Sequence, residues 1–113
     1  MKIVDRKTFL SLPVGALFSD YEPCIFGELL IKGESWSEDY FTQKLSSAIS
    51  CSSSDEFGKI LEHARETGAS VAMDFSCEAR DGCFNEDQLY AVWERGDVEA
   101  LIQRLQLACK EYP

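Results

Sequence analysis

Residues 53–68 carry the clearest secondary-structure signal in the chain. Ser53 and Glu56 fit a capping box, in which two side chains satisfy backbone N–H groups at the start of a helix. The apolar residues that follow recur at helical spacing: Phe57, Ile60, Leu61 and Ala64. Gly68 is the expected stop. The sequence therefore predicts one amphipathic helix with an apolar face to bury, and the flanking segments must supply the surface that it covers.

On both sides of this helix, apolar and polar residues alternate with the period of two that is typical of β-strands. Five segments are predicted as strands, 16–21, 24–32, 36–50, 70–77 and 88–93, and the second, third and fourth of them show this pattern. In the second segment one parity is apolar and predicts the core face: Ile25, Gly27, Leu29 and Ile31. The third segment also has an apolar residue at every fourth position, as in a helix, but its Ser and Thr content favours a strand.

Turn and helix signals complete the order of elements. Gly33-Glu34-Ser35 predicts a turn, and Asp81-Gly82 is typical of a hairpin between the last two strands. Asp5 is a suitable cap for a short first helix. A final helix is predicted from Val98 to about Lys110. Its expected buried stripe is Val98, Leu101, Ile102, Leu105 and Cys109.

This order predicts a single α+β domain spanning residues 1–113, with an antiparallel or mixed sheet of about five strands and two main helices packed mostly on one face. No apolar run approaches the ~18–20 residues of a transmembrane helix, and no signal-peptide pattern opens the chain. We therefore expect a cytoplasmic protein. Its odd number of cysteines, five, predicts free and mostly buried thiols rather than a disulfide framework.

The negative charge is concentrated in two stretches. The net charge is −9, with −5 in residues 20–39 and −6 in residues 74–99, so the remainder is slightly basic. Direct nucleic-acid binding is not expected, because it needs clustered Lys and Arg. The charge favours a larger protein partner with a basic surface, although it also serves solubility.

Motifs for chemistry are missing from the sequence. The single histidine, His63, falls beside the apolar stripe of its helix, and the cysteines lack the close pairs of a zinc site. The segment Asp81–Asp87 has oxygen donors at alternate positions but lacks the glycine and the final glutamate of a calcium loop. Phosphate-binding glycine loops do not occur. We expect no catalytic residue, no metal and no cofactor.

Candidate partner-binding residues are acids and aromatics near the two acidic stretches. The segment Glu78–Gly82 places Arg80 in an acidic field, either as a recognition tip or as a structural partner of Asp74 or Asp81. Exposed aromatics ringed by charge are typical of interface hot spots. The predicted binding residues are Trp36, Glu38, Asp39, Glu78, Arg80, Asp81, Glu86, Asp87, Tyr90 and Glu94.

Part of the chain resembles a known class of small proteins. The stretch Phe75–Leu101, about a quarter of the chain, is centred on Arg80-Asp81-Gly82-x-Phe84-Asn85-Glu86-Asp87-Gln88-Leu89-Tyr90-Ala91-Val92-Trp93. It resembles small accessory proteins encoded by bacteriophages and prophages. The resemblance implies a compact inhibitor of host defence or a host regulator, including anti-CRISPR proteins, and it implies a location in the host cytoplasm. It brings no catalytic residues.

The leading hypothesis is a non-enzymatic acidic protein that binds and inhibits a larger host protein complex that handles nucleic acid. An alternative is a binding protein for a small ligand such as a signalling nucleotide, held by Arg80, Lys32 and aromatic residues. A third is a hydrolase that uses a cysteine with His63.

Overall fold

The computed structural model describes residues 1–112 and confirms an α+β fold with an antiparallel sheet. The strands are β1 (Lys2–Val4), β2 (Leu17–Glu22), β3 (Ile25–Phe26), β4 (Leu30–Trp36), β5 (Asp39–Lys44), β6 (Glu78–Arg80) and β7 (Leu89–Val92). The helices are α1 (Arg6–Leu10), α2 (Ser54–Thr67) and α3 (Arg95–Glu111). Neither long helix in this part of the chain is apolar over a length that could cross a membrane.

The sheet joins the two ends of the chain. Its order is β1-β7-β2-β4-β5-β6, with β3 added to β2 as a short hairpin. The last strand, β7, lies between β1 and β2, in register with Ile3 and Ser19 opposite Ala91. The N-terminal ammonium consequently reaches Glu94 at 2.9 Å and Asp97 at 2.6 Å, at the start of α3.

The core is a cluster of four aromatic rings around α1. Phe9 of α1 stacks on Tyr90 of β7 with ring centroids 3.9 Å apart, and it contacts Phe18 at 4.6 Å and Tyr40 at 4.9 Å. In the sheet, β7 and β5 are three positions apart, about 14 Å if the sheet were flat. Yet the Tyr40 and Tyr90 centroids are only 6.0 Å apart. The side chains of these strands therefore converge on Phe9, which indicates that the sheet curves around α1.

Helix α2 begins and ends where the sequence predicts. The Ser53 hydroxyl accepts the Glu56 N–H at 3.1 Å, and Gly68 closes the helix with a left-handed φ of 72°. Such a φ is costly for residues with a Cβ. The Glu56 carboxylate, however, accepts the N–H of Ser52 at 2.9 Å, one residue before the cap.

The two long helices pack differently from the expectation. No residue of α2 or α3 is buried, and Ile102 and Leu105 in the expected buried stripe of α3 are 49% and 55% exposed. The reason is that α1 and the four aromatic rings form the buried core. The short first helix thus contributes more to the core than either long one.

The segment 24–32 is not one strand, and its expected core face is wrong. β3 ends at Phe26 and β4 starts at Leu30, while Ile25 is 62% exposed and Lys32 is buried. The Lys32 ammonium donates to the Gly33 carbonyl at 3.1 Å and to the Ser35 hydroxyl at 2.9 Å, and it lies 5.8 Å from the centre of the Phe9 ring. These contacts allow a cation to occupy a position where the pattern predicts solvent exposure.

The predicted turn at residues 33–35 is also wrong, because β4 continues to Trp36 through an irregularity in its pairing with β5. The reversal occurs at Ser37, whose φ is 56°. The strand preference for residues 36–50 is confirmed over Asp39–Lys44.

The last predicted hairpin does not form. Residues 70–77 contain no strand, β6 forms at Glu78–Arg80 where a loop was expected, and β6 pairs with β5 while β7 pairs with β1 and β2. Gly82 does have a left-handed φ of 68°. The turn at Gly82 leads the chain from β6, at one edge of the sheet, towards β7 near the other edge. A local turn signal therefore predicts a change of direction but does not specify which strands pair.

Candidate functional site

A buried carboxylate at the start of β5 ties together two distant segments. Asp39 is 2% exposed, and its oxygens accept the Arg80 Nε–H at 2.9 Å and the Gly82 N–H at 3.0 Å. Burial alone would raise the pKa of Asp39, but hydrogen bonds from the backbone of Gly82 and Tyr40 and from Arg80 outweigh it and lower the pKa. The ionised carboxylate therefore fixes the loop after β6 against the turn between β4 and β5.

Above this carboxylate, an exposed tryptophan is held by a cation. Trp36 is 64% exposed, and the Arg80 guanidinium carbon lies 5.5 Å from the centre of a ring of Trp36. The Arg80 side chain is half-exposed and cannot swing freely, because Asp39 holds its Nε. The cation–π contact therefore presents Trp36 in a defined orientation.

A cavity of about 360 Å³ has Glu38 in its wall, two residues after Trp36 in the chain. Its lining is Arg6, Lys7, Leu10, Glu38, Phe84 and Glu86. Phe84 is 49% exposed and has a φ of 51°, a left-handed conformation that is uncommon for an aromatic residue. Arg6 donates to the Glu38 carbonyl at 2.6 Å, which anchors the turn to α1. We refer to Trp36, Glu38, Arg80, Phe84 and Glu86 as the corner surface.

A buried network supports the corner surface from below. The Arg6 side chain is 7% exposed and donates to the Tyr90 hydroxyl at 2.9 Å, with the Asp81 carboxylate at 3.7 Å. Burial raises the pKa of both Tyr40 and Tyr90, so both phenols stay neutral. Arg6 is thus the cation that joins α1, the core tyrosines and the loop after β6.

Asp20 of β2 is the one member of this region with an unsatisfied atom. Among residues 1–112, its Oδ1 is the single buried side-chain oxygen or nitrogen atom without a hydrogen-bond partner. Burial raises the pKa of Asp20, and the nearby Asp81 and Glu28 add to this while Arg6 opposes it. The ionised form is therefore disfavoured in the folded protein.

Replacement of Asp20 by asparagine should stabilise the protein at pH 7 by about 1 kcal/mol, because it removes a charge that the fold solvates poorly. Because the pKa of Asp20 is higher in the folded protein than in the unfolded chain, protonation of Asp20 at low pH stabilises the fold. That stabilisation is lost as the pH rises through the folded-state pKa. The advantage of Asp20→Asn should therefore shrink between pH 7 and pH 4 in urea unfolding. Glu22→Gln, at an exposed acid of the same strand, should change little. A variant less stable than the parent at pH 7 would contradict this account.

The structure brings together several of the predicted binding residues and separates others. Trp36, Glu38, Arg80 and Glu86 lie on the corner surface, with Asp81 beneath it. Asp39 is also beneath it and is a correction, because a residue that is 2% exposed supports this surface but does not contact a partner. Glu78 and Asp87 are exposed, and in the sequence they flank the segment from Arg80 to Glu86. Arg80 does have the structural role considered from the sequence, but its partner is Asp39 and not Asp74 or Asp81.

Two predicted residues occupy other positions. Tyr90 is a correction: it is fully buried in the aromatic cluster, so it cannot contact a partner. Glu94 follows β7 at the end opposite to Asp87, and its carboxylate accepts the N-terminal ammonium at 2.9 Å. Glu94 is separated from the other two predicted acids, Glu86 and Asp87, by the length of β7. A partner that contacts all three would have to cover the whole of this strand.

Sequence reasoning missed Phe84, Arg6 and Lys7 at this site. Nothing in the local pattern indicates that Arg6 is buried, because its partners are 32 to 84 residues away. For Phe84, the signal was an aromatic residue two positions after a glycine turn, in a segment assigned to a loop. The thiols are free as expected, but they are not mostly buried, since Cys77 alone is half-buried and the others are exposed.

Within residues 1–112, no group of three His, Cys, Asp or Glu side chains is placed to hold a metal ion. His63 lies on the exposed part of α2. Comparisons of the chain with protein-family models, with curated proteins and with solved structures found no match.

Proposed function

We propose that this protein acts by binding a larger protein with a basic surface, and that it docks through the corner surface and inhibits its partner by covering that basic surface. The observation that carries the proposal is the exposed Trp36 against Arg80, whose Nε is held by the buried Asp39. The neighbouring Glu38 lines a cavity together with Arg6, Lys7, Leu10, Phe84 and Glu86.

Exposed but fixed aromatic rings support a binding role. Trp36 and Phe84 are 64% and 49% exposed, which leaves large apolar area in water. Tryptophan and arginine are enriched among residues that dominate binding energies, and a side chain that is already ordered loses less entropy on binding. Asp39 holds Arg80 and Arg80 contacts Trp36, so Trp36 and Arg80 meet both conditions.

The charges around these rings favour a basic partner. In residues 33–38 and 78–87, five acids are exposed. Two exposed cations stand against them: Arg80, whose charge is compensated by Asp39, and Lys7, which lines the same cavity as Glu38 and Glu86. These acids are Glu34, Glu38, Glu78, Glu86 and Asp87. Complementary charge accelerates association and makes it salt-dependent. A basic surface of a nucleic-acid-handling protein is where phosphates bind, so an acidic protein that covers it competes with them.

The test uses affinity capture with the full chain, followed by binding measurements with the captured partner. Trp36→Ala should weaken binding by about 30-fold, as expected for a hot spot of about 2 kcal/mol. The double variant Glu38→Lys/Glu86→Lys should slow association and reduce its dependence on salt.

The matched control is Glu62→Lys/Glu66→Lys, which makes the same change of net charge on the exposed helix α2. This control should retain the parent's affinity within a few-fold. If this control weakens binding as much as Glu38→Lys/Glu86→Lys does, net charge and not the corner surface determines docking. If neither Glu38→Lys/Glu86→Lys nor Trp36→Ala affects binding, the proposal is wrong.

A further inference from the structure

Helix α3 leaves part of its apolar stripe in contact with water. Ile102 is 49% exposed, Leu105 is 55% exposed and Cys109 is exposed, and their spacing of three and four places them on one face. Leu101 and Ala108 are half-buried and lie at one side of this stripe. A row of apolar residues that remains exposed along two helical turns is typical of an interaction surface.

The charges of α3 do not favour a lipid surface as the occupant. Helices that lie on membranes are rich in Lys and Arg on their polar face. Here the helix contains three cations and three anions: Arg95, Arg104, Lys110, Asp97, Glu99 and Glu111. Such a balanced helix has no net attraction to anionic lipids.

The distribution of the same charges favours a second α3 in antiparallel orientation. The side chains of residues 94–100 have a net charge of −2, which the N-terminal ammonium bound to Glu94 and Asp97 reduces to −1, and residues 101–111 have a net charge of +1. Antiparallel packing places the acidic half of each helix against the basic half of the other, and it also opposes the two helix dipoles. Parallel packing would instead place like charges together.

We propose that the protein forms a symmetric homodimer in which α3 of one copy packs antiparallel on α3 of the other. With the two-fold axis between Ile102 and Leu105, Ile102 contacts the partner's Leu105 and Val98 contacts the partner's Cys109. Glu99 then lies near the partner's Lys110 at the edge of the contact. The helix has 17 residues, about 25 Å of length. One such face buries less than the ~800 Å² per partner of a standard interface, so the dimer dissociates on dilution.

The first experiment is analytical ultracentrifugation of the full chain with a thiol reductant, over a range of concentrations. The mass should rise from 12.7 kDa towards twice that value. Ile102→Glu and Leu105→Glu should stay monomeric at concentrations where the parent is mostly dimeric. Leu107→Glu is the matched control, because Leu107 is 46% exposed on the same helix but lies on the other side of it. A parent that is monomeric throughout, or a Leu107→Glu variant as monomeric as Leu105→Glu, would overturn the proposal.

The second experiment tests the antiparallel register. A background with Cys24, Cys51, Cys77 and Cys83 replaced by serine retains Cys109 alone. In the proposed dimer, the two Cys109 residues are about 16 Å apart along the helix axis, so oxidised glutathione should not link them. Addition of Val98→Cys places a thiol next to the partner's Cys109, and a covalent dimer should form. Efficient linkage through Cys109 alone, or none after Val98→Cys, would contradict the register.

Discussion

Replacement of Phe9 by alanine should lower the free energy of unfolding by about 3–5 kcal/mol, a large part of the ~5–15 kcal/mol available to a domain of this size. Phe9 is fully buried and contacts all three of the other core rings, including the stacked ring of Tyr90 at 3.9 Å. Its removal leaves a cavity between rings that are held by three different strands. Urea unfolding followed by circular dichroism measures the loss, and an unfolded variant at 25 °C is within the expected range.

Phe75→Ala is the control for this prediction. Phe75 is 56% exposed, so the same chemical change should cost about 0.5 kcal/mol or less. If Phe9→Ala were no more damaging than Phe75→Ala, the aromatic cluster would not be the core of the fold, and one of the long helices would have to supply it.

The elements that sequence reasoning identifies correctly depend on local chemistry. α2 is predicted with its caps because Ser53 and Gly68 act on backbone groups within four residues of themselves. β2 and β7 lie close to their predicted segments, and both faces of each strand are buried, as Phe18 beside Ser19 and Tyr90 beside Ala91 show. In these cases the chain segment itself contains the cause of its structure.

The elements that it misses depend on distant partners. Lys32 is buried because its ammonium donates a hydrogen bond to the Ser35 hydroxyl and lies over the Phe9 ring. Helices α2 and α3 stay exposed because Phe9 of α1 and the rings around it already fill the core. Apolar periodicity indicates that a helix has a face to bury, but it does not indicate which surface, if any, of the same molecule is free to cover it.

The candidate site shows the same division. Sequence composition pointed to Trp36, Glu38, Arg80 and Glu86 as separate candidates in two acidic stretches. The pairing of β5 with β6 and the carboxylate of Asp39 bring these stretches into contact. Nothing in the sequence indicates that Asp39 joins the two stretches, because its role depends on the chain reversal at Ser37, which has a positive φ without being a glycine.

Replacement of Arg6 by methionine should cost about 3–5 kcal/mol, although methionine fills a similar space with an apolar chain. Removal of the guanidinium leaves the Tyr90 hydroxyl and the Glu38 carbonyl without the hydrogen bonds that Arg6 donates at 2.9 Å and 2.6 Å. It also leaves the Asp81 carboxylate, 17% exposed, without its nearest cation. The loss of one partner from a buried pair is more damaging than the replacement of both.

Two further variants separate this network from ordinary surface ion pairs. Arg104→Met breaks an exposed pair with Glu111 and should cost at most about 1 kcal/mol. Arg6→Met/Asp81→Asn removes both charges of the pair and should be less damaging than Arg6→Met alone, because the Asp81 carboxylate is then not left without its cation. An additive double variant would mean that Arg6 and Asp81 act independently. Arg6 also anchors the turn after Trp36. In a Trp93→Phe background, where Trp36 is the single tryptophan, Arg6→Met should therefore change the tryptophan fluorescence of the folded fraction, whereas Arg104→Met should not. A purely structural cation remote from the corner surface would leave that fluorescence unchanged.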